Sequence, residues 1–158
     1  MIKIGLGVDI HPFVKGRPCI LGGVRIPYSR GLKGHSDADA LTHALIDALL
    51  GALGERDIGY FFPDTDARWK NADSLKMLAM VQGILKKKKA VIHNLDITVI
   101  TQEPRLAPHI MDIKTNLSKT LCIKPSQVAI KATSSEWMGF TGRKEGIVVL
   151  ATACMDSP

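Results

Sequence analysis

The segment SDADALTHALIDALLGALG, residues 36–54, organises the predicted fold because it has the pattern of an amphipathic helix. Its small and aliphatic residues recur at helical spacing: Leu41, Ala44, Leu45, Ala48, Leu49 and Ala52. Ser36 or Asp37 can cap the first turn by accepting hydrogen bonds from backbone amides. Gly54 is typical of a helix end, so we expect the helix to run from about Ser36 to Gly54.

Strand patterns lie on both sides of this helix. Ile2–Ile10 is rich in β-branched residues, with Gly5 and Gly7 where another backbone can approach closely. The short runs 19–21 and 24–26 flank two glycines and predict a two-residue hairpin. Further strands are predicted at 95–101, 128–133 and 147–154, and irregular loops at 57–68 and 134–142. Two further helices are predicted, one from about Asp73 with Leu75, Leu78, Val81 and Leu85 inside, and one with Ile110, Ile113, Leu117 and Leu121 inside.

This order of elements predicts an α/β or α+β fold, in which helices pack on one face of a sheet. The chain has 158 residues, the length of one domain, and we expect residues 1–158 to form it. The other face of such a sheet also needs cover, and oligomerisation is the natural way to provide it.

The composition excludes several classes of protein. Hydrophobic residues make up 46% and charged residues 23%, the balance of a soluble globular protein. No apolar run reaches the roughly 18 residues that span a bilayer, and the beginning of the chain lacks a signal-peptide pattern. Three cysteines, odd in number and far apart, argue against a disulfide framework. We therefore expect a cytoplasmic protein without membrane contact.

The chain carries a basic surplus, with 21 Lys and Arg against 15 Asp and Glu. Such a surplus suits nucleic acid, an acidic membrane surface or small phosphorylated substrates. The run Lys86–Lys89 favours the solvated end of a helix, where cations suit the carbonyl dipole. A nucleic-acid binder would interleave aromatic and basic residues, whereas Trp69 and Trp137 are isolated. We expect no nucleic-acid partner.

Two histidines and an aspartate form a candidate metal site. Asp9 and His11 are two residues apart on a predicted strand, so their side chains point to the same side. With His43 on the helix they make a three-ligand set that leaves the open position of a catalytic zinc site. Asp39 stands one helical turn before His43 and is predicted to accept a hydrogen bond from its second ring nitrogen. The alternative is ordinary polar residues at the ends of a strand and a helix.

Other polar segments follow predicted strands or helices. Residues 57–59 and 62–66 fit either a binding loop or plain turn chemistry. Residues 101–106 follow a strand, where backbone amides and a cation can hold a phosphate or a base. Residues 132–136 and 139–143 supply hydroxyls, glycine amides and an arginine near a carboxylate, which suit a diphosphate with a divalent cation. The common glycine-rich nucleotide loops are absent.

Taken in order, these motifs resemble the 2-C-methyl-D-erythritol 2,4-cyclodiphosphate synthase family. The similarity runs from about Ile2 to the last strand and rests on DIH at 9–11, HSDAD at 35–39, His43, DIG at 57–59, FPDTD at 62–66, KAT at 131–133 and FTGR at 140–143, with Glu145 and Gly146. The resemblance implies a homotrimer of α/β subunits with active sites shared between neighbours. It also implies a lyase of the non-mevalonate pathway of isoprenoid biosynthesis. This enzyme would convert 4-diphosphocytidyl-2-C-methyl-D-erythritol 2-phosphate into the 2,4-cyclodiphosphate and CMP.

The resemblance also implies residue roles. It assigns zinc to Asp9, His11 and His43, a second metal, magnesium or manganese, to Glu136, and transition-state contacts to His35 and Ser134. Its substrate-binding positions are Asp9, Ile10, His11, His35, Ser36, Asp57, Ile58, Gly59, Phe62, Pro63, Asp64, Thr65, Asp66, Thr101, Gln102, Glu103, Pro104, Arg105, Leu106, Ala107, Thr133, Ser134, Ser135, Glu136, Phe140 and Arg143. Residues 101–107 would form the cytidine pocket from a neighbouring subunit.

Two departures from the family pattern affect the binding segments. Ser134-Ser135 stands where threonines are common, and serine keeps the hydroxyl. Glu103 and Arg105 flank Pro104 where a small residue and a lysine are usual, so the details of the base pocket are open. A rival enzyme class, a metal-dependent phosphohydrolase, would use the same zinc with water as the nucleophile.

Overall fold

The computed structural model describes residues 1–158 as a five-stranded sheet, a separate two-stranded sheet and helices on one face. The strands are β1 (Ile2–Val14), β2 (Cys19–Leu21), β3 (Val24–Ile26), β4 (Gly31–Leu32), β5 (Val91–Ile100), β6 (Val128–Thr133) and β7 (Gly146–Asp156). The helices are α1 (Ala40–Ala52), α2 (Ile58–Phe61), α3 (Ser74–Lys87), α4 (Ile110–Leu121) and α5 (Gly139–Gly142). None of these helices combines the length and apolar character needed to cross a membrane.

The large sheet is mixed, with strand order β4-β1-β7-β5-β6. β7 is antiparallel to both β1 and β5, whereas β5 and β6 are parallel. β2 and β3 form the predicted hairpin, in which Gly22 and Gly23 have φ values of 56° and 69°. Positive φ at both central residues is what a tight hairpin turn requires. The predicted α/β or α+β class is confirmed.

The two sides of β1 have unusual compositions. The side that faces the helices carries Gly5, Gly7, Asp9 and His11. The opposite side carries a row of exposed aliphatic residues, which we call the outer row: Ile2, Ile4, Leu6, Val8 and Ile10. This strand therefore presents its apolar side away from the core, the reverse of the usual arrangement.

The core side of β1 lies in close contact with α1. A Cβ built at Gly5 would lie 2.0 Å from the carbonyl oxygen of Ala48, and one at Gly7 would lie 2.0 Å from that of Ala44. The close approach predicted at these two glycines is confirmed. Most of α1 is buried, and it belongs to a core of 35 buried hydrophobic residues.

The start of α1 differs from the prediction. The helix begins at Ala40 and not at Ser36, because Ala38 has φ +59°, a left-handed conformation that interrupts helical backbone. Asp39 is the cap, and its side chain accepts the amide hydrogen of Thr42. The predicted caps, Ser36 and Asp37, are therefore wrong.

The other elements follow the sequence pattern with shifted bounds. α3 begins after its cap Asp73, and Met77, Leu78, Val81 and Leu85 are buried along it. The predicted loop at 57–68 contains the single turn α2, and the loop at 134–142 contains the single turn α5. Aspartate capping explains the first of these turns, since the Asp57 side chain accepts a hydrogen bond from Tyr60 N.

Candidate active site

The three predicted metal ligands converge between β1 and α1. Asp9 Oδ2 lies 2.9 Å from His11 Nε2 and 3.2 Å from His43 Nδ1. One ligand atom from each side chain lies within 4.8 Å of the other two, the spacing of a group that can hold a metal ion. The side chains meet because Asp9 and His11 follow Gly7 on the core side of β1, where α1 approaches most closely.

A hydrogen bond made by one ring nitrogen of His11 fixes the protonation of the other ring nitrogen, which faces Asp9. His11 Nδ1 lies 2.5 Å from the carbonyl oxygen of Lys33, which can only accept, so Nδ1 carries the proton that is donated. In the neutral ring Nε2 then has a lone pair directed at the Asp9 carboxylate. Two facing acceptors need a positive charge between them, either a proton or a metal ion.

The charges within the cluster shift the titration of its members. Burial would raise the pKa of Asp9, but hydrogen bonds from the protonated rings of His11 and His43 lower it to about 2. Burial would lower the pKa of His11, yet its hydrogen bond to Asp9 raises it. The carboxylate is thus ionised at neutral pH, and the site favours a cation.

The Asp39 carboxylate makes no hydrogen bond to the His43 ring, so its predicted role is wrong. Its fully buried carboxylate accepts hydrogen bonds from Gly22 N at 2.9 Å and Gly23 N at 2.8 Å. It also accepts from Thr42 N at 3.0 Å and Thr42 Oγ1 at 2.8 Å. Because a capping side chain turns back over the helix start, the carboxylate joins the hairpin to α1 instead of reaching the ring one turn later.

Two serine hydroxyls, and not the Asp39 carboxylate, lie next to the second ring nitrogen of His43. His43 Nε2 lies 2.9 Å from Ser74 Oγ and 3.2 Å from Ser36 Oγ. The Ser74 hydroxyl in turn contacts the carboxylate of Asp37. Sequence reasoning missed Ser74, and the only local signal is a serine at the start of a helix.

A cleft of about 290 Å³ adjoins the cluster and is lined by His35, Ser36, His43, Ile58, Gly59, Phe62, Asp64, Trp69 and Met77. Trp69 and Met77 were not predicted to belong to the site. Arg17 supports the rim, since its guanidinium donates hydrogen bonds to the carbonyl oxygens of Gly34 and Ser36. The predicted catalytic His35 thus shares a cleft with His43, one of the three predicted metal ligands.

The predicted substrate loop contributes only part of this lining, namely Ile58, Gly59, Phe62 and Asp64. Asp57 instead caps α2 through an amide hydrogen bond of 3.0 Å, and Asp66 caps the next short turn. Pro63 and Thr65 lie outside the lining. Ile10 does too, because it belongs to the outer row of β1.

A second cleft, of about 360 Å³, is lined by Thr101, Gln102, Pro104, Arg105, Leu106, Ala107, Ala132, Thr133 and Ser134. It shares no residue with the first cleft, so one chain does not bring the predicted catalytic residues His35 and Ser134 into the same cleft. Glu136, the predicted second metal ligand, is exposed, and its Oε1 accepts a hydrogen bond from Ser134 Oγ at 3.0 Å. It belongs to no group of three or more side chains that could hold a metal ion.

The loop that follows β5 is tied to the loop that follows β6. Gln102 Oε1 accepts the amide hydrogen of Trp137 at 3.2 Å. Glu103 Oε1 forms a salt bridge of 2.7 Å with Lys144 Nζ, and that ammonium group lies 5.2 Å from the centre of the Trp137 ring. A cis peptide bond joins Glu103 to Pro104. The unusual Glu103 therefore has a partner, which the sequence pattern did not indicate.

The remaining predicted positions lie within the loop after β6. Thr141 Oγ1 donates a hydrogen bond to Ser135 Oγ at 2.7 Å. Arg143 forms an exposed salt bridge of 2.9 Å with Glu145, and Phe140 is also exposed. Phe140 and Arg143 therefore lie at the surface of a single chain.

Known proteins resemble this chain over nearly its whole length. A model of the YgbB family matches residues 2–156. The Bacillus subtilis protein named 2-C-methyl-D-erythritol 2,4-cyclodiphosphate synthase is 53% identical over 152 residues, which cover 96% of each chain. The Synechococcus elongatus protein of the same name is 52% identical over 153 residues, 97% of this chain and 96% of its own. A solved structure described as an IspF (Plasmodium falciparum) CDP complex is 34% identical, covers 99% of this chain and 96% of its own, and has a TM-score of 0.87.

Proposed function

The chain belongs to the YgbB family, and we propose that it converts 4-diphosphocytidyl-2-C-methyl-D-erythritol 2-phosphate into 2-C-methyl-D-erythritol 2,4-cyclodiphosphate and CMP. The observation that carries the proposal is the convergence of Asp9, His11 and His43 beside a cleft, in a chain more than half identical to synthases of that name. The enzyme is a phosphorus–oxygen lyase of the non-mevalonate isoprenoid pathway.

The donor set of the cluster fits zinc. Two imidazole nitrogens and one carboxylate oxygen are the three protein ligands of many catalytic zinc sites. Zinc bound there would draw charge from a phosphate oxygen. We assign a second ion, magnesium or manganese, to the substrate diphosphate with Glu136 as a ligand, because a carboxylate oxygen is the ligand that these ions prefer.

The reaction needs positioning more than proton transfer. The 2-phosphate is already an anion at neutral pH, so its oxygen attacks the β-phosphorus without a general base. The new bond closes the ring while the bond from the β-phosphorus to the bridging oxygen breaks, and CMP leaves with that oxygen. His35 and Ser36 line the cleft beside the cluster, where they can hold the phosphate oxygens in line.

The apolar and polar halves of the first cleft suit the methylerythritol part of the substrate. Phe62, Ile58 and Trp69 offer apolar surface, and Asp64 offers a carboxylate to a sugar hydroxyl. The second cleft suits cytidine, because it combines backbone groups that follow a strand with Arg105 and the hydroxyl of Thr133. Ser134, at its edge, would then contact the diphosphate.

We propose that one substrate occupies the first cleft of one chain and the second cleft of its neighbour, in a homotrimer with shared sites. The clefts share no residue within a chain, and the outer row of β1 leaves apolar surface to be covered. All three cysteines are free, as expected in the reducing cytoplasm, where we place the enzyme.

The test of the activity is incubation of the protein with the cytidine diphosphate substrate, zinc and magnesium, followed by analysis of the products. We expect CMP and a cyclic diphosphate, and loss of both in His43→Ala. A ring-opened phosphate would favour the metal-dependent phosphohydrolase, and no CMP under any metal condition would refute the assignment.

Reassembly tests the shared site separately. His43→Ala and Arg105→Ala chains, each weak or inactive alone, are unfolded together and refolded as a mixture. We expect activity to return, because some interfaces then join an intact metal cluster to an intact second cleft. Mixed oligomers without recovered activity, or a monomeric mass in solution, would contradict this arrangement.

A further inference from the structure

Ser74 is a polar residue without an assigned role, although its surroundings are specific. It begins α3 and is fully buried. Its hydroxyl lies 2.9 Å from His43 Nε2 on one side and contacts the Asp37 carboxylate on the other. Its backbone amide donates to Asp37 Oδ2 at 2.9 Å. Ser74 thus contacts two side chains that lie 37 and 31 residues before it in the sequence.

The available hydrogens fix the direction of these bonds. The amides of Ser74 and Asp39 both donate to the Asp37 carboxylate, so both of its oxygens act as acceptors. The single hydrogen of the Ser74 hydroxyl is then donated to Asp37. The contact between Ser74 Oγ and His43 Nε2 has no hydrogen left from the serine, so Nε2 must supply it.

Ser36 does not alter this direction. Its hydroxyl oxygen is 3.2 Å from His43 Nε2, farther than that of Ser74, and accepts the amide hydrogen of Ala38. If Ser36 donated its own hydrogen to an unprotonated Nε2, the lone pairs of Nε2 and Ser74 Oγ would face each other at 2.9 Å. A proton on Nε2 leaves a lone pair on Nδ1. Nδ1 is the nitrogen that lies 3.2 Å from Asp9 Oδ2, inside the metal cluster.

We propose that Ser74 and Asp37 are positioning residues that hold the proton of His43 on Nε2 and so present Nδ1 to a metal ion shared with Asp9 and His11. This inference rests on the proposed metal-dependent function, but zinc binding tests it without turnover. It also explains why the hydroxyl is buried, since the helix cap does not need it. Asp73 already caps α3 by accepting the amide hydrogen of Leu75.

The first experiment measures zinc affinity by competition with a chromophoric chelator. Ser74→Ala is expected to bind zinc about 10- to 100-fold more weakly, the usual effect of losing the partner that orients a metal-bound histidine. Ser118→Ala is the matched control, because Ser118 is also buried and its hydroxyl donates only to a carbonyl within α4. Equal zinc affinity in Ser74→Ala, Ser118→Ala and the parent would overturn the proposal.

A double variant tests whether Asp37 acts through the serine. Asp37→Asn alone is expected to weaken zinc binding, whereas adding it to Ser74→Ala is expected to cause no further loss. Losses that simply add would show that Asp37 acts independently and would remove it from the proposed role. Circular dichroism and melting curves of each variant separate this effect from unfolding.

A second measurement needs no substitution. Long-range proton–nitrogen correlation spectra of the zinc-loaded parent are expected to show a proton on His43 Nε2 and metal coordination through Nδ1. Coordination through Nε2 would overturn the inference even if every variant failed to fold. If zinc binding behaves as expected but no CMP forms, the proposed function fails and this inference stands. If CMP forms but the spectra show metal coordination through His43 Nε2, the proposed function stands and this inference fails.

Discussion

The contact between β1 and α1 depends on Gly7 having no side chain. A Cβ at this position would lie 2.0 Å from the carbonyl oxygen of Ala44 and 2.7 Å from the amide nitrogen of Ala48. Ordinary contact of a Cβ begins near 3.4 Å. Gly7→Ala must therefore push strand and helix apart, because both overlapping atoms belong to the backbone and no side chain can rotate away.

The expected loss of stability is large. Adding a methyl group to a packed core costs about 1–3 kcal/mol when side chains can adjust, so we expect at least about 3 kcal/mol for Gly7→Ala. That is a substantial share of the roughly 5–15 kcal/mol by which a typical domain is stable. The metal site is also affected, since Asp9 follows Gly7 on the strand and His43 precedes Ala44 on the helix. Displacement of α1 lengthens the 3.2 Å contact between Asp9 and His43, and zinc binding weakens.

The assay is denaturant unfolding at one fixed protein concentration, with Gly83→Ala as the control. Gly83 lies inside α3, and a Cβ there has no atom within 4 Å. Alanine is expected to stabilise the protein at that position by about 0.5–1 kcal/mol, because it restricts the unfolded chain and favours the helix. The same glycine-to-alanine substitution is thus expected to lower the stability at position 7 and to raise it at position 83. A Gly7→Ala protein as stable as the parent, with unchanged zinc affinity, would refute this account of the helix contact.

Asp39→Asn is expected to lower the free energy of unfolding by about 1–3 kcal/mol, because an amide nitrogen cannot accept the hydrogen of Gly23 N and leaves that buried donor unpaired. Denaturant unfolding measures this loss. A fall in zinc affinity without destabilisation would contradict the prediction. Reversing the charge of either Glu103 or Lys144 is expected to raise KM, and reversing both charges is expected to restore it. Steady-state kinetics measure this. Increases in KM that add in the double variant would argue against a salt bridge between the loops. Glu136→Gln is expected to keep zinc but to need more magnesium for half-maximal activity, because one oxygen ligand has lost its charge; an unchanged magnesium titration would make Glu136 a surface carboxylate.

The convergence of the three candidate metal ligands is predictable from sequence because each of them follows from a short-range pattern. Asp9 and His11 share one side of a strand by its two-residue period, and His43 stands on a helix that must pack against that strand. The start of that helix is less predictable. The left-handed conformation of Ala38 leaves no mark on the hydrophobic periodicity, so the pattern places the start four residues too early.

The hydrogen-bond partners of the site are not predictable in the same way, because tertiary packing selects them. Ser74 is 31 residues from His43, and Lys144 is 41 residues from Glu103. Helical spacing favours Asp39 as the partner of His43, but the hairpin amides and the helix start occupy that carboxylate fully. Local spacing identifies candidates, and competition among all nearby donors decides between them.

The outer row of β1 makes the behaviour of the protein depend on its own concentration. Ile2, Ile4 and Leu6 are each more than 60% exposed in an isolated chain, and Val8 and Ile10 extend the row. An apolar strip of this kind on a diluted monomer invites aggregation. Any assembly that covers it binds only the folded chain, so its formation draws the folding equilibrium towards the native state. Dilution below the concentration at which such an assembly forms should therefore lower the stability of the folded chain.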